Sequence, residues 1–263
     1  MYANESFGRR LRLGHLSRHG GSGLLLVPLD HAVGAGPLRS DGDLDVLVAQ
    51  LAEHGADGVV LHKGAARRVR PARFRDLSLI VQLNASTRMS ADPDAKYPVA
   101  TVEEALRLGA HAVSVHVNAG SRTEAAQIAH LAEVARACDR WSVPLLAMMY
   151  VRGPAVRDDR SPGLVAHAVA VAAEMGADLV KTALPEDPAA TARIIAGAAV
   201  PVLAAGGSPQ AGAEAVLARM AAAMRAGAAG VAAGRVVFTD DDPAAVLRRL
   251  SAVVHDRTPA GVR

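Results

Sequence analysis

Four short stretches of this chain read alike, and their spacing restricts the possible fold more than any other feature. They are His54-Gly55-Ala56-Asp57-Gly58-Val59, Leu108-Gly109-Ala110-His111-Ala112-Val113, Met175-Gly176-Ala177-Asp178-Leu179-Val180 and Ala226-Gly227-Ala228-Ala229-Gly230-Val231. Each closes a helical pattern on glycine, the residue suited to the left-handed position just past a helix end, and then opens an apolar run. The glycines stand 54, 67 and 51 residues apart. One strand–helix unit takes about 30 residues, so each interval holds two units. The repeat therefore marks every second unit of an eightfold alternation.

The other strands fall between these marks. The expected set is Leu24–Asp30, Gly58–Lys63, Leu77–Asn84, Ala112–Asn118, Pro144–Tyr150, Leu179–Thr182, Pro201–Ala205 and Gly230–Gly234. These are near-continuous apolar runs, the pattern of parallel strands covered on both faces. Helical stripes fill the gaps: Leu44, Leu47, Val48 and Leu51; Val216, Leu217, Met220 and Met224; Val246, Leu247, Leu250 and Val254. Thr101-x-x-Glu104 and Ser121-x-x-Glu124 have the form of capping boxes. Ser161-Pro162, Asp187-Pro188 and Asp242-Pro243 each set a cap residue before a proline at the first helical position. The reading is an α/β protein with a (β/α)8 TIM barrel, residues 1–22 forming a leader helix or loop and residues 23–263 a single barrel domain. An open doubly wound sheet is the runner-up, but no G-x-G-x-x-G follows the first strand.

Composition removes several functional classes. Aromatic residues are 3% of the chain and the net charge is +3 with no basic run, which argues against nucleic-acid binding. The single cysteine, Cys138, excludes an internal disulfide and a cysteine-rich zinc or iron–sulfur site, and is expected to be a buried helix residue. No apolar run approaches the about 18 residues of a membrane helix, and the first residues lack an apolar signal core. The expectation is a cytoplasmic protein with no membrane contact. His15 and His19 have metal-ligand spacing but no acidic partner, and no H-E-x-x-H occurs, so no metal is expected.

In such a barrel chemistry sits at the C-terminal ends of the strands. Those ends carry Asp30-His31, His62-Lys63, Asn84, His116 and Asn118, Met149-Tyr150, Lys181-Thr182, Gly206-Gly207-Ser208 and Gly234-Arg235. The loops after the last two strands often hold phosphate in this fold. Gly206 and Gly207 let backbone N–H groups approach an anion, and Gly234-Arg235 adds a second glycine and a fixed cation. Only Lys63, Lys96 and Lys181 are lysines. Lys181 ends a buried strand, where an ammonium is disfavoured and a neutral amine, the form a Schiff base requires, is favoured. Lys63 is its rival but leads into Arg67, Arg68 and Arg70; Lys96 reads as a loop residue. Tyr150, on the neighbouring strand, and Asp30 flank the same mouth and make a proton-transfer set. His116 alternates with Ser114 and Asn118 and reads as a hydrogen-bonded core histidine rather than a ligand.

These residues resemble the archaeal-type class I aldolase family, barrel enzymes that include fructose-bisphosphate aldolases and 2-amino-3,7-dideoxy-D-threo-hept-6-ulosonate synthase. The matching stretches are Leu26-Val27-Pro28-Leu29-Asp30-His31, Val60-Leu61-His62-Lys63-Gly64, Thr101-Val102-Glu103-Glu104-Ala105, Val113-Ser114-Val115-His116-Val117-Asn118, Leu145-Leu146-Ala147-Met148-Met149-Tyr150, Asp178-Leu179-Val180-Lys181-Thr182 and Ala205-Gly206-Gly207. The resemblance implies Lys181 as Schiff-base lysine, Tyr150 as proton donor, Asp30 as proton acceptor, and Gly206, Gly207, Gly234 and Arg235 as phosphate cradle. It implies no metal or organic cofactor, and a homo-oligomer. Ala147-Met148-Met149-Tyr150 is most similar to the heptulosonate synthase branch and to bacterial relatives that join dihydroxyacetone phosphate to aspartate semialdehyde. The implied activity is an aldolase or transaldolase that adds the enamine of a ketose phosphate to an aldehyde, giving a seven-carbon precursor of an aminohydroxybenzoate or dehydroquinate-type aromatic. Arg152 is the candidate for the acceptor's carboxylate, and Glu186 or Asp187 for its ammonium. Fructose-bisphosphate aldolase and a non-catalytic barrel that binds a phosphorylated metabolite stay open as alternatives.

Overall fold

The apolar runs pair in chain order and close on themselves. In the computed structural model, which describes residues 6–17, 23–36, 43–207 and 212–256, eight parallel strands form a closed barrel. They are β1 (Leu24–Pro28), β2 (Gly58–Leu61), β3 (Ser78–Gln82), β4 (Ala112–Ala119), β5 (Leu145–Val151), β6 (Leu179–Thr182), β7 (Val202–Ala205) and β8 (Gly230–Ala232), with β8 returning to β1 through Leu24↔Gly230. The helices are α1 (Phe7–Leu16), α2 (His31–Ala35), α3 (Leu44–Glu53), α4 (Lys63–Ala66), α5 (Val102–Arg107), α6 (Glu124–Trp141), α7 (Pro162–Glu174), α8 (Pro188–Gly197), α9 (Gly212–Arg225), α10 (Arg235–Phe238) and α11 (Pro243–His255). The four repeat glycines, Gly55, Gly109, Gly176 and Gly227, take φ of +90°, +80°, +91° and +103°, so each does stop a helix in the left-handed region.

Two apolar layers follow from the alternation of side chains along each strand. One face of the strands packs against the helices and holds most of the core, including Cys138. The other face fills the barrel with Leu24, Leu26, Val60, Ile80, Ala112, Leu146, Leu179 and Leu203. Helix α1 closes the N-terminal end of this interior. Leu16 is 1% exposed and joins the interior cluster, a burial that contributes about 1.5–3 kcal/mol. Ser78 Oγ donates to the His15 carbonyl at 2.9 Å, and Arg12 Nη1 to the Ser142 carbonyl at 3.0 Å. His19 lies outside the described residues. With that end plugged, the cleft among the described residues lies at the C-terminal mouth.

The strand ends differ from expectation in one systematic way. β1, β2 and β8 stop at Pro28, Leu61 and Ala232 rather than at Asp30, Lys63 and Gly234. Beyond each, the chain turns at once into a one-turn helix, with Asp30, His62 and Gly234 at the cap positions of α2, α4 and α10. β3 stops at Gln82, and Asn84 pairs instead with Pro98 in a two-residue antiparallel ladder. The Thr101 capping box forms with both of its hydrogen bonds. The Ser121 box does not, because α6 starts only at Glu124 and Ser121 Oγ accepts from Gln127 Nε2 at 2.9 Å. No helix among the described residues is long and apolar enough to cross a membrane.

Candidate active site

Climbing the barrel interior, the apolar layers give way to polar ones. The inward positions become Gln82, Ser114, His116, Lys181 and Tyr150. The register sets Lys181 beside Met148 on one side and Leu203 on the other. Tyr150 follows Met148 by two residues and so takes the next inward position towards the mouth. Lys181 is only 6% exposed, with apolar neighbours on both flanks. Above it opens a cleft of about 610 Å³ lined by Asp30, His31, Tyr150, Arg152, Lys181, Gly206, Gly207, Gly234 and Arg235. The structure thus brings together the expected catalytic, phosphate and carboxylate residues, while Ser208 lies outside the described residues. Lys63, the rival, is the first residue of α4 and points to Glu104 at 3.2 Å, away from the cleft.

Burial and neighbouring charge set the ionisation of the carboxyl and the imidazoles of the cleft. Burial raises the pKa of Asp30, but His31, Lys181, His62 and His116 around it outweigh that, and the carboxyl is held below its usual range. It is therefore ionised near neutral pH. His31 and His62 are pushed down, by burial first, and stay neutral. His31 Nδ1 lies 3.4 Å from Asp30 Oδ1 yet makes no hydrogen bond among the described residues. Asp30 stands at the N-cap of α2 without a side-chain hydrogen bond to the helix, and its carboxylate lines the cleft.

His116 is a cleft residue rather than a core histidine. Burial, then Lys96, pushes its pKa down to about 3. Asn118 Nδ2 donates to the Asp94 carbonyl at 2.8 Å, which leaves Asn118 Oδ1 as an acceptor 2.9 Å from His116 Nε2. The ring is then the Nε2–H tautomer, with Nδ1 as a lone-pair acceptor. It sits against Tyr150 with ring centroids 4.9 Å apart, and the Arg152 guanidinium stands 5.7 Å from the Tyr150 ring. The phenol is thus held between an imidazole and a cation.

Glycine is required at the two loops opposite. A Cβ on Gly206 would lie 2.7 Å from that of Ala233, and one on Gly234 only 2.0 Å from the Pro28 carbonyl oxygen. Backbone therefore forms this wall of the cleft. Two arginines that strand-end reasoning missed approach Gly207: Arg160 lines the cleft, and Arg219 stands behind the glycine wall, lining the neighbouring cavity. Arg219 Nη2 and Arg160 Nη2 lie 3.3 and 3.6 Å from the Cβ position of Gly207, and Arg219 also donates to the Gly206 carbonyl at 3.3 Å. Arg219 comes from the middle of α9 and Arg160 from a long loop after β5, so neither had a signal in the strand-end pattern.

Lys96 also lines the cleft, contrary to its reading as a plain loop residue. The proposed ammonium partners, in contrast, do not reach it. Glu186 lines a separate cavity of about 310 Å³ and pairs with Arg160 at 3.3 Å. Asp187 is spent on capping α8, accepting from the Ala189 and Ala190 N–H groups. Asp159 is the acid that shares the cleft wall with Asp30. Among the described residues no three His, Cys, Asp or Glu side chains gather as metal ligands would.

Comparison with known proteins points to an aldolase barrel. The model of the DeoC/LacD family aldolases matches residues 24–240, from the first barrel strand to beyond the last. A 2-amino-4,5-dihydroxy-6-oxo-7-(phosphonooxy)heptanoate synthase of Streptomyces griseus is 53% identical, over 99% of this chain and 98% of its own length. A 2-amino-3,7-dideoxy-D-threo-hept-6-ulosonate synthase of Halobacterium salinarum is 43% identical, over 95% of this chain and 92% of its own. Among solved structures, an archaeal fructose-1,6-bisphosphate aldolase whose catalytic lysine is bound to a carbinolamine intermediate superposes with a TM-score of 0.86. It is 29% identical and covers 94% of this chain and 99% of its own.

Proposed function

The chain belongs to the DeoC/LacD family of aldolases, and from that premise we propose that it joins dihydroxyacetone phosphate to L-aspartate 4-semialdehyde through a Schiff base on Lys181. The observation that carries the reading is the buried Lys181 on the floor of one cleft with Asp30 and Tyr150. The neutral amine of Lys181 adds to the donor's ketone carbon. Tyr150 donates a proton to the carbinolamine hydroxyl, which leaves as water and gives an iminium. The iminium draws electrons from the adjacent hydroxymethyl carbon, and Asp30 takes the proton released there, leaving an enamine. That carbon attacks the aldehyde carbon of the acceptor, the new alkoxide takes the proton held by Asp30, and water hydrolyses the iminium, returning a proton to Tyr150 and freeing Lys181. The donor's phosphate rests against Gly206, Gly207 and Gly234 with Arg235, and Arg160 and Arg219 add charge behind Gly207. His31, on the same wall, contacts the donor. Arg152, next to Tyr150, holds the acceptor's carboxylate, and Asp159 offers an acceptor for its ammonium.

Three carbons from the donor and four from the acceptor give a seven-carbon amino-keto acid phosphate, a precursor for aminohydroxybenzoate-type aromatics. The name of the Streptomyces griseus relative describes such a product, which supports this choice over the related deoxyheptulosonate. The test is kcat/KM for aspartate semialdehyde against glyceraldehyde 3-phosphate with the same donor. The glycine wall is taken by the donor's phosphate, and the acceptor end carries Asp159 as well as Arg152, an acid beside a cation that suits an amino acid's ammonium and carboxylate and repels a dianionic phosphate. The expected preference for the semialdehyde is about a hundredfold, or near 3 kcal/mol. A higher value for glyceraldehyde 3-phosphate means a fructose-bisphosphate aldolase.

In this mechanism the iminium is the electron sink, so no Lewis acid is needed at the reacting carbonyl. Activity is expected to be unchanged after prolonged treatment with a strong chelator. Loss that zinc restores rejects the lysine mechanism.

A further inference from the structure

We propose that Lys96, held over the cleft by a buried hydrogen-bond network, forms with Arg152 the carboxylate subsite of the acceptor and thereby selects it. The proposal rests on the acceptor assigned above and adds the residue that recognises it.

Lys96 lies on the excursion between Asn84–Ala85 and Tyr97–Pro98, the two short segments of an antiparallel ladder at the barrel mouth. That excursion is pinned from the barrel side at the Asp94 carbonyl. Asn118 Nδ2 and Gln127 Nε2 both donate to the Asp94 carbonyl, at 2.8 and 2.9 Å. Both side chains are fully buried, and Gln127 Oε1 in turn accepts from the Asn118 N–H at 2.8 Å. Removing one partner would strand buried polar atoms, at a cost of about 1–3 kcal/mol each. The loop therefore has a fixed height above the mouth two residues before Lys96. The ladder Ala85↔Tyr97 fixes it one residue after.

The position gained this way puts Lys96 on the lining of the same cleft as Arg152, with the carboxylates of Asp94, Asp30 and Asp92 acting on it in the opposite sense to that cation. Lys96 and Arg152 are near enough to repel: burial first, and then Arg152, lowers the lysine's pKa. Neither cation makes an ion pair within 4.0 Å among the described residues. Among the described residues the Lys96 ammonium donates to the Pro93 carbonyl alone, at 3.4 Å, which leaves donors for a ligand. Two cations at one rim, one of them fixed by a dedicated network, form a site for a compact anion. The glycine wall across the cleft is where the donor's phosphate rests. The anion at this rim is then on the acceptor, and a carboxylate three bonds from the reacting carbon matches a four-carbon amino-acid aldehyde.

The experiment compares three aldehydes with one donor: aspartate semialdehyde, succinate semialdehyde, which keeps the carboxylate, and propanal, which lacks it. In Lys96→Met, kcat/KM for both carboxylates is expected to fall 10- to 100-fold relative to propanal, chiefly through KM, as loss of a charged hydrogen bond dictates. Lys96→Arg restores most of the ratio, and the thermal midpoint of each variant reports its folding. An unchanged carboxylate-to-propanal ratio in folded Lys96→Met overturns the subsite and leaves the acceptor assignment standing. Wild-type enzyme that favours glyceraldehyde 3-phosphate overturns the acceptor assignment and the subsite together, and does so before any substitution is made.

Discussion

Borohydride added together with dihydroxyacetone phosphate is expected to fix the donor on Lys181, and Lys181→Arg to lower turnover by at least about a thousandfold. The expectation follows from what surrounds each lysine. Lys63 is engaged by Glu104 at 3.2 Å and does not line the cleft. Lys96 is at the rim, in a half-buried loop. Lys181 alone is buried on the cleft floor, in register with Met148 and Leu203. Arginine keeps the positive charge, but a guanidinium does not deprotonate in proteins and cannot add to a ketone. The substitution therefore separates charge from nucleophilicity. Peptide mapping reads the labelled position directly. Label on Lys63 or Lys96, or a Lys181→Arg enzyme with appreciable turnover, removes the nucleophile assigned here.

The barrel was legible because its signals are local and repeated. A glycine at each helix end followed by an apolar run needs no knowledge of distant contacts, and the four φ values bear it out. Lys181 and Tyr150 were legible for the same reason, since the ends of β5 and β6 are visible in the apolar pattern. Asp30 and Gly234 were found but misplaced. Each lies past its strand at the start of a one-turn helix, and four or five residues are too few to show a helical period. Lys96 was missed for a different reason. Its place depends on two buried amides reaching the Asp94 carbonyl from 24 and 33 residues away, and backbone acceptors have no sequence signature. His116 failed similarly. That it lines a cleft, rather than a packed core, depends on where the loops leave space. Arg219 is one arginine on a helical pattern, and only the closeness of α9 to Gly207 sets it behind the glycine wall of the cleft.

Tyr150→Phe and Asp30→Asn are each expected to cost about 10²- to 10⁴-fold in kcat, the usual range for a positioned acid or base. Phenylalanine keeps the ring that packs on His116 at 4.9 Å and beneath Arg152 at 5.7 Å, so the loss reports the hydroxyl and not the packing. The step affected is accessible without an acceptor: exchange of the donor's hydroxymethyl-carbon proton with deuterated water, which both variants should slow. The pH profile distinguishes these groups from the histidines. A carboxyl whose pKa is depressed remains the basic form at every pH above its ordinary value of 3.8, and loses that form only as pH falls below it. His116, with a pKa of about 3, is likewise unchanged from pH 5 to 8. Neither group then places a limb in the exchange rate across that window. A limb near pH 6.5 that disappears in His116→Gln moves the proton acceptor from Asp30 to the imidazole. In that case the carboxylate, 3.4 Å from His31, serves to hold that ring and not to take the donor's proton.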